Sequence, residues 1–469
     1  MMNITFVVYE DCSWQQMLPL TYLRPTFELI CGRNSLLEKI QRLIASASAA
    51  SANGNGKRSL TAPSLWCRPE LAPVLAEDHS DAVNQRVSGP AVFLNGRGWW
   101  KRLPSLDTST GSWIGVVGES EHVACIVADA ELAESLSPDQ FQSCDRMNRQ
   151  LADLPRRDVS EYVEMFSWPW ELVHANERAL LADWESSEVQ RAQRGRLDVG
   201  SYVLAPESVH LGQGTRIKPC AVIDAEDGPV WIGDDVTISP HTSIKGPVSI
   251  GNGSLIQPGA VIHAGTTIGP VCKVGGEIEA SIIQGYSNKQ HDGFLGHSYI
   301  GSWVNIAADC INSDLKNTYG TVRVPINGRP VETGEMFVGM LVGDYSKLGI
   351  NVSFPTGSVI GFCSSVFASQ SPKFVPSFVW VDGDTWTAFD EERGVEIAGK
   401  VMARRNRCFT PVREQVFRRI RRLAQRLESY PEQFKIPAEA EMDWFGEVEP
   451  NADENSLRTA PLYSVRKVD

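Results

Sequence analysis

The stretch Ile232-Gly-Asp-Asp-Val-Thr-Ile238-Ser-Pro-His-Thr-Ser-Ile244-Lys-Gly-Pro-Val-Ser-Ile250-Gly-Asn-Gly-Ser-Leu-Ile256-Gln-Pro-Gly-Ala-Val-Ile262-His-Ala-Gly-Thr-Thr-Ile268 decides the fold. One branched apolar residue recurs at every sixth position, and Val274 adds the next rung. That period is wrong for a helix, whose apolar positions recur about every 3.6 residues, and too long for one strand face, where they alternate. It fits short strands joined by turns and wound into a left-handed parallel β-helix of three faces. Each hexad supplies one face, and three complete a coil. Ile232-Gly233-Asp234-Asp235-Val236 and Ile250-Gly251-Asn252-Gly253-Ser254 show the unit: the aliphatic side chain fills the interior, and the small residues let the backbone turn the corner.

The rungs begin at Leu211-Gly212 and run through Ile217 and Ile223, with a small loop expected before Ile232. The register blurs over 275–293, resumes at Phe294, Ile300 and Ile306, and is interrupted by a polar insertion at 312–335. Leu348, Phe354, Ile360 and Val366 restore it, so the prism is expected over 201–372. Upstream, Asn3–Tyr9 reads as a buried strand, 35–44 as a helix and Ala45–Ser64 as a flexible insertion. Ala91–Leu94 reads as a strand running into Asn95-Gly96-Arg97, where an open α/β sheet sets its ligand loops. Residues 1–190 are therefore expected to form an α/β, Rossmann-like domain. Downstream, 373–440 is expected to be an extension with a helix over 408–429, capped by Thr410 with Pro411 at its first position. Its arginines, Arg413 to Arg426, suit a solvated helix docked on the prism, or contact with a phosphate or coenzyme A. An acidic, disordered tail is expected at 441–469.

A net charge of −13 argues against a general nucleic-acid binder. No apolar run approaches the roughly 18 residues of a membrane helix. Met1–Asp11 lacks a secretory leader's pattern, and the ten cysteines form no C-x-x-C pair. A cytoplasmic protein with reduced thiols is the expectation. Flat prism faces pack on one another, so a homotrimer with sites in the clefts between protomers is expected. Enzymes of this fold are mostly acyltransferases using coenzyme A. They need a base and a donor for the tetrahedral oxyanion, and histidine suits the first role.

The candidate base lies in Gly285-Tyr-Ser-Asn-Lys-Gln-His291-Asp-Gly-Phe-Leu-Gly-His-Ser-Tyr-Ile-Gly-Ser-Trp-Val-Asn305-Ile-Ala-Ala308. This segment resembles the acetyltransferase half of the bacterial bifunctional N-acetylglucosamine-1-phosphate uridylyltransferase/glucosamine-1-phosphate acetyltransferase family, with its Gly-His-x-x-Tyr-Leu-Gly and Ile-Gly-x-x-Val-Asn-Ile-Gly-Ala motifs. The resemblance implies His291 as catalytic base, Asn305 as a substrate contact and the Ala308 amide as the donor near the thioester of acetyl-CoA. Phe294 replaces the family's Tyr. The family's sugar-binding Lys falls near Ser281, and Lys289 is the candidate to replace its charge. His297 reads as structural. His241, His263, His291 and His297 do not have the spacing of a β-helix zinc site.

Leu20–Leu29, Leu37-Glu-Lys39, Asn95-Gly96-Arg97, Trp168–Leu172, Asp314–Gly320 and Gly343–Asn351 extend the likeness to a divergent branch with a nucleotidyltransferase-like N-terminal domain. Asn317 and Tyr319 fall in one of these segments and join the candidate acceptor contacts. The branch implies a sugar phosphate and a nucleotide as ligands, with Arg24, Lys39, Asn95, Arg97 and Glu171 as candidate contacts. The place of the glycine-rich phosphate loop reads Glu10-Asp-Cys-Ser-Trp-Gln-Gln-Met-Leu-Pro-Leu, without glycine. The family's magnesium-binding Asp falls on Arg97, which leaves the ligands of any Mg2+ open, with Glu171 and Asp11 as candidates. The functions implied are acetyl transfer to glucosamine 1-phosphate and nucleotidyl transfer from UTP. The alternatives are a glucose-1-phosphate thymidylyltransferase-like enzyme, or a non-catalytic trimeric scaffold that senses sugar nucleotides.

Overall fold

The computed structural model describes residues 4–52, 62–79, 82–104, 111–118, 122–186 and 194–430. The acidic tail at 441–469 and the middle of the 45–64 insertion lie outside the described residues. Val7, Val8 and Tyr9 are buried completely, as a central strand covered on both faces must be. Thr5–Tyr9 lies between Ser64–Trp66 and Ala91–Asn95, parallel to both. Val123–Ala128 runs antiparallel to Ala91–Asn95, and Trp113–Val116 and Arg156–Asp158 complete a six-stranded sheet. The first long helix, Leu36–Ala52, runs past its expected end at Ile44. Ala is the strongest helix former, and nothing in the Ala-Ser stretch to Ala52 breaks the turn.

Three sheets of eleven, six and nine strands, parallel except for the antiparallel edge strand Thr385–Ala388 of the first, form the left-handed prism. Ile232, Ile238, Ile244, Ile250 and Ile256 fill its interior. The blurred stretch 275–293 stays in the coil. Ile278, Ile283, Lys289 and Leu295 pair in register with Ile262, Ile268, Val274 and Ile278. Shortened corners reduce the spacing to four residues (274 to 278) and five (278 to 283), which defeats a hexad count. Leu295, not Phe294, occupies the interior; alternation along the strand turns Phe294 onto the outer surface. The 312–335 insertion contains a hairpin, Arg323–Ile326 with Arg329–Glu332.

Two faces of the prism are packed against other parts of the chain, and the third is open. The nine-stranded face is covered by the N-terminal domain, where Trp170, Leu172 and Val173 pack on Ile282, Tyr299 and Leu341. The Tyr299 hydroxyl accepts from the Ile30 amide at 2.8 Å and donates to the Ile30 carbonyl at 3.0 Å. One end of the eleven-stranded face carries the helices Glu391–Ala403 and Pro411–Leu427. There Phe417 meets Tyr345, Phe362 and Phe378. Thr410 caps the second helix, its hydroxyl accepting from the Arg413 amide, and Pro411 opens it. Arg413 pairs with Glu77 and Asp78, and Arg418 with Glu392 and Glu414, so these arginines are spent on carboxylates. The six-stranded face is open, with Tyr202 63% and Val261 37% exposed.

The cysteines depart from the expectation of thiols alone: Cys12 is joined to Cys144, with their Cα atoms 5.7 Å apart. The two lie 132 residues apart in the chain. Only the tertiary fold brings the short helix Cys12–Met17 against Cys144–Gln150, so no local spacing could announce the pair.

Candidate functional site

The strand Asn288–Lys289 ends at a corner of the prism, and His291 stands on that corner, exposed. Asn305–Ile306 lies one coil along, with Asn288 opposite Asn305 and Lys289 opposite Ile306. Carrying that register two residues on sets His291 opposite Ala308. The Asp309 amide donates to the Asp292 carbonyl at 3.0 Å and fixes the alignment. Adjacent coils lie about 4.8 Å apart, so His291, Ala308 and Asn305 share one edge. The Ala308 carbonyl accepts from the Asn351 amide of the following coil at 3.0 Å. Asn317 and Tyr319 are exposed in the turn beyond Asp314, Tyr319 by 69%.

Lys289 is not on the surface. It takes an interior rung, only 2% exposed, and donates to the carbonyls of Gly275 at 3.0 Å and His291 at 2.9 Å. Gly276, at φ +76°, makes room: a Cβ there would lie 2.7 Å from the Lys289 ammonium. Burial pushes the ammonium down to about 8, against the opposing pull of Cys310 and Asp292. An unfolded lysine keeps its proton to about 10.4, so between about 8 and 10.4 the unfolded chain binds more protons and this group's contribution to stability rises with pH. Replacing Lys289 by methionine is expected to flatten that rise. Urea midpoints of both proteins at pH 7.5, 9 and 10 test it, and identical pH slopes would reject it.

The two surfaces meeting at this corner carry opposite charge. On the eleven-stranded side Lys273 lies beside Asn288, and the turn between the C-terminal helices reaches it. Arg405 donates to the Asn288 side chain at 2.9 Å, and Arg407 to the Tyr286 hydroxyl at 2.9 Å. On the six-stranded side Phe294 lies opposite Glu277, and Gly296 opposite Glu279. Asp314 packs over Gly296: a Cβ there would sit 2.3 Å from its carboxylate and 2.5 Å from the Phe294 ring. His297 Nδ1 lies 2.8 Å from Asp314, and His263 Nε2 lies 3.1 Å from Glu277.

The N-terminal candidates do not converge on one site. Arg24 binds Asp344 at 2.9 Å and donates to Ser302 at 3.0 Å, bolting its domain to the prism. Burial pushes the Asp344 carboxyl up, and Arg24 opposes it. Lys39 is buried against Asp183. Glu171 caps its own helix, accepting from the amides of Ser167 at 2.6 Å and Trp168 at 3.1 Å. Arg97 is wholly buried and clamps Asp11 through two hydrogen bonds, of 2.9 and 2.7 Å. Asn95 donates to the same carboxylate at 2.8 Å. Burial pushes Asp11 up, but Arg97 and Asn95 outweigh it and hold the carboxyl below its usual range. Beside them Arg68 binds Glu10 at 2.6 Å and lies over the Trp14 ring. The carboxyl ends of Thr5–Tyr9 and Ala91–Asn95, where this sheet type opens its ligand crevice, are thus filled by two buried ion pairs. The donor set does not fit Mg2+, since both oxygens of Asp11 are taken by Arg97, Asn95 and the Ser13 amide, and Glu171 is turned to its own helix N-terminus. Among the described residues no three His, Cys, Asp or Glu cluster as metal ligands.

Sequence reasoning passed over Asp344, the partner of Arg24, and Asp314, although both lie in the segments that carry the resemblance. Glu277 and Arg405 had no signal, since only the coil register and the docked helices bring them to the site.

Residues 6–192 match the sugar nucleotidyl transferase family, and 229–264 match the bacterial transferase hexapeptide family of six repeats. The chain therefore joins a domain similar to the sugar nucleotidyl transferases to a solenoid with hexapeptide repeats similar to those of bacterial transferases. It is similar to the bifunctional protein GlmU of Acidithiobacillus ferrooxidans, 35% identical over 190 residues, covering 38% of each chain. The Synechococcus GlmU is 27% identical over 223 residues, 43% of this chain and 48% of that one. The chain spans less than half the length of these relatives. Among solved structures, the UDP-N-acetylglucosamine acyltransferase of Francisella novicida aligns with 44% of this chain and 74% of its own, at 13% identity and a TM-score of 0.22. No helix among the described residues is long and apolar enough to cross a membrane.

Proposed function

We propose that the prism transfers an acetyl group from acetyl-CoA to the amine of an amino sugar. The observation that carries this reading is the coil register that sets His291 and Ala308 side by side, with Asn305 on the same edge. The amine nitrogen attacks the thioester carbon while His291 takes its proton, and the Ala308 amide donates to the oxyanion. The C–S bond then breaks with its electron pair moving to sulfur, and the proton passes from His291 to the thiolate. The products are an amide and free coenzyme A. A homotrimer fits the open six-stranded face, whose exposed Tyr202 and Val261 would be covered by a neighbouring protomer. The resemblance supplies glucosamine 1-phosphate as the candidate acceptor.

For the N-terminal domain, its family supports nucleotidyl transfer, with UTP or dTTP as the donor. The buried Asp11–Arg97 and Glu10–Arg68 pairs favour a second reading, a domain that binds a sugar nucleotide without turning it over. Thiol release from acetyl-CoA with amino-sugar acceptors tests the first half. Pyrophosphate release from UTP or dTTP with Mg2+ and a panel of sugar 1-phosphates tests the second. Thiol release without pyrophosphate is expected. Pyrophosphate formation would reject the binding-only reading, and the absence of thiol release would reject the acyltransferase.

A further inference from the structure

We infer that the acceptor beside His291 enters as an ammonium group, gives up one proton to solvent before its free amine attacks, and carries no phosphate on the six-stranded side, unlike the glucosamine 1-phosphate that the resemblance supplies. The inference rests on the acyl transfer proposed above and names its acceptor class. The outer residues there are Glu277, Glu279, Asp292 and Asp314, grouped around Phe294. The lysines that could offset them are engaged. Lys289 is turned into the prism, Lys245 pairs with Asp227 at 2.8 Å, and Lys316 donates to the Thr321 carbonyl. His263 and His297 are each taken up by one of the carboxylates, Glu277 and Asp314. Ser281, the counterpart of a sugar-phosphate lysine, is buried and donates to the Glu279 carbonyl at 2.7 Å. Among the described residues of one protomer, a phosphate set here would meet several carboxylates and no cation left unengaged, whereas an ammonium group entering the same cleft is attracted. The opposite side of the corner, with Lys273, Arg405 and Arg407, has the sign that suits the polyanionic acyl donor. His291 thus stands where a cationic surface for the donor meets an anionic surface for the acceptor.

The test compares glucosamine with glucosamine 1-phosphate as acceptors for the full chain, following thiol release from acetyl-CoA. The unphosphorylated amine is expected to have a kcat/KM at least about tenfold higher, a preference that shrinks with added salt. The Glu277→Lys variant, altered at a half-exposed position, is expected to erase or invert the preference. Equal or faster use of glucosamine 1-phosphate by the wild type overturns the inference and leaves acyl transfer standing. If neither amine is acetylated, the acyl transfer falls and the inference falls with it.

Discussion

Replacing His291 with alanine is expected to lower kcat for acetyl transfer by roughly 10²–10⁴-fold, the usual contribution of a positioned general base. The fold should survive the change. The part of His291 that the prism uses is its backbone carbonyl, held by the Lys289 ammonium, and alanine keeps that carbonyl. The ring is exposed on the corner, where substitutions usually move stability by less than about 0.5 kcal/mol. A helpful contrast is His297, whose ring is fixed to Asp314 and packs against His174 and Phe337. His297→Ala should therefore lower the thermal midpoint more than His291→Ala does, and lower kcat less. Parallel measurement of thiol release, thermal midpoint and sedimentation separates the two roles. A His291→Ala protein with the wild-type rate would remove this imidazole from the chemistry.

The prism was legible wherever its repeat was regular. From Ile232 to Val274 each hexad fills one face, so counting by sixes found every interior residue. The count failed at the shortened corners (274 to 278, 278 to 283 and 295 to 300), and the cost fell at the site, where Lys289 read as a sugar-phosphate contact and Phe294 as a rung. Both errors have one physical cause: a corner that loses residues changes which side chain faces inward, without leaving a mark in composition. The site's edge was legible only through the family motif, because His291 and Ala308 are 17 positions apart and meet only once the coil is closed. The N-terminal residues were legible as charges but not as pairs. Arg97 and Arg24 have the look of anion ligands, and their actual partners, Asp11 and Asp344, lie 86 and 320 residues away. Long-range pairing of that kind is set by the fold as a whole.

The larger effect on stability is expected from Arg97→Ala, at about 3–5 kcal/mol, the range for breaking a buried ion pair by removing one partner. The guanidinium lies entirely inside the protein and also donates to the Phe166 carbonyl. Its loss would leave the buried Asp11 carboxylate with Asn95 and the Ser13 amide as its remaining donors. The sign with pH follows from the same geometry. In the wild type the Asp11 carboxyl is held below its usual range, so its stabilisation is present above the unfolded value near pH 3.9 and is lost as the pH falls further. In the variant, burial alone would raise that carboxyl, so the deficit should be largest near neutrality and narrow as the pH falls toward 4. Lysine cannot reproduce the two-pronged grip, so Arg97→Lys should recover only part of the loss. Replacing both partners by apolar residues of similar size should recover more, since no unpaired charge is then buried. Mg2+ divides the two readings of this domain. If Asp11 were a metal ligand masked by Arg97, the Arg97→Ala protein would gain stability on adding millimolar Mg2+, and its denaturation midpoint would climb with metal concentration. A midpoint indifferent to Mg2+, with the double replacement restored, is the result expected if the ion pair is a plug that closes the crevice from within.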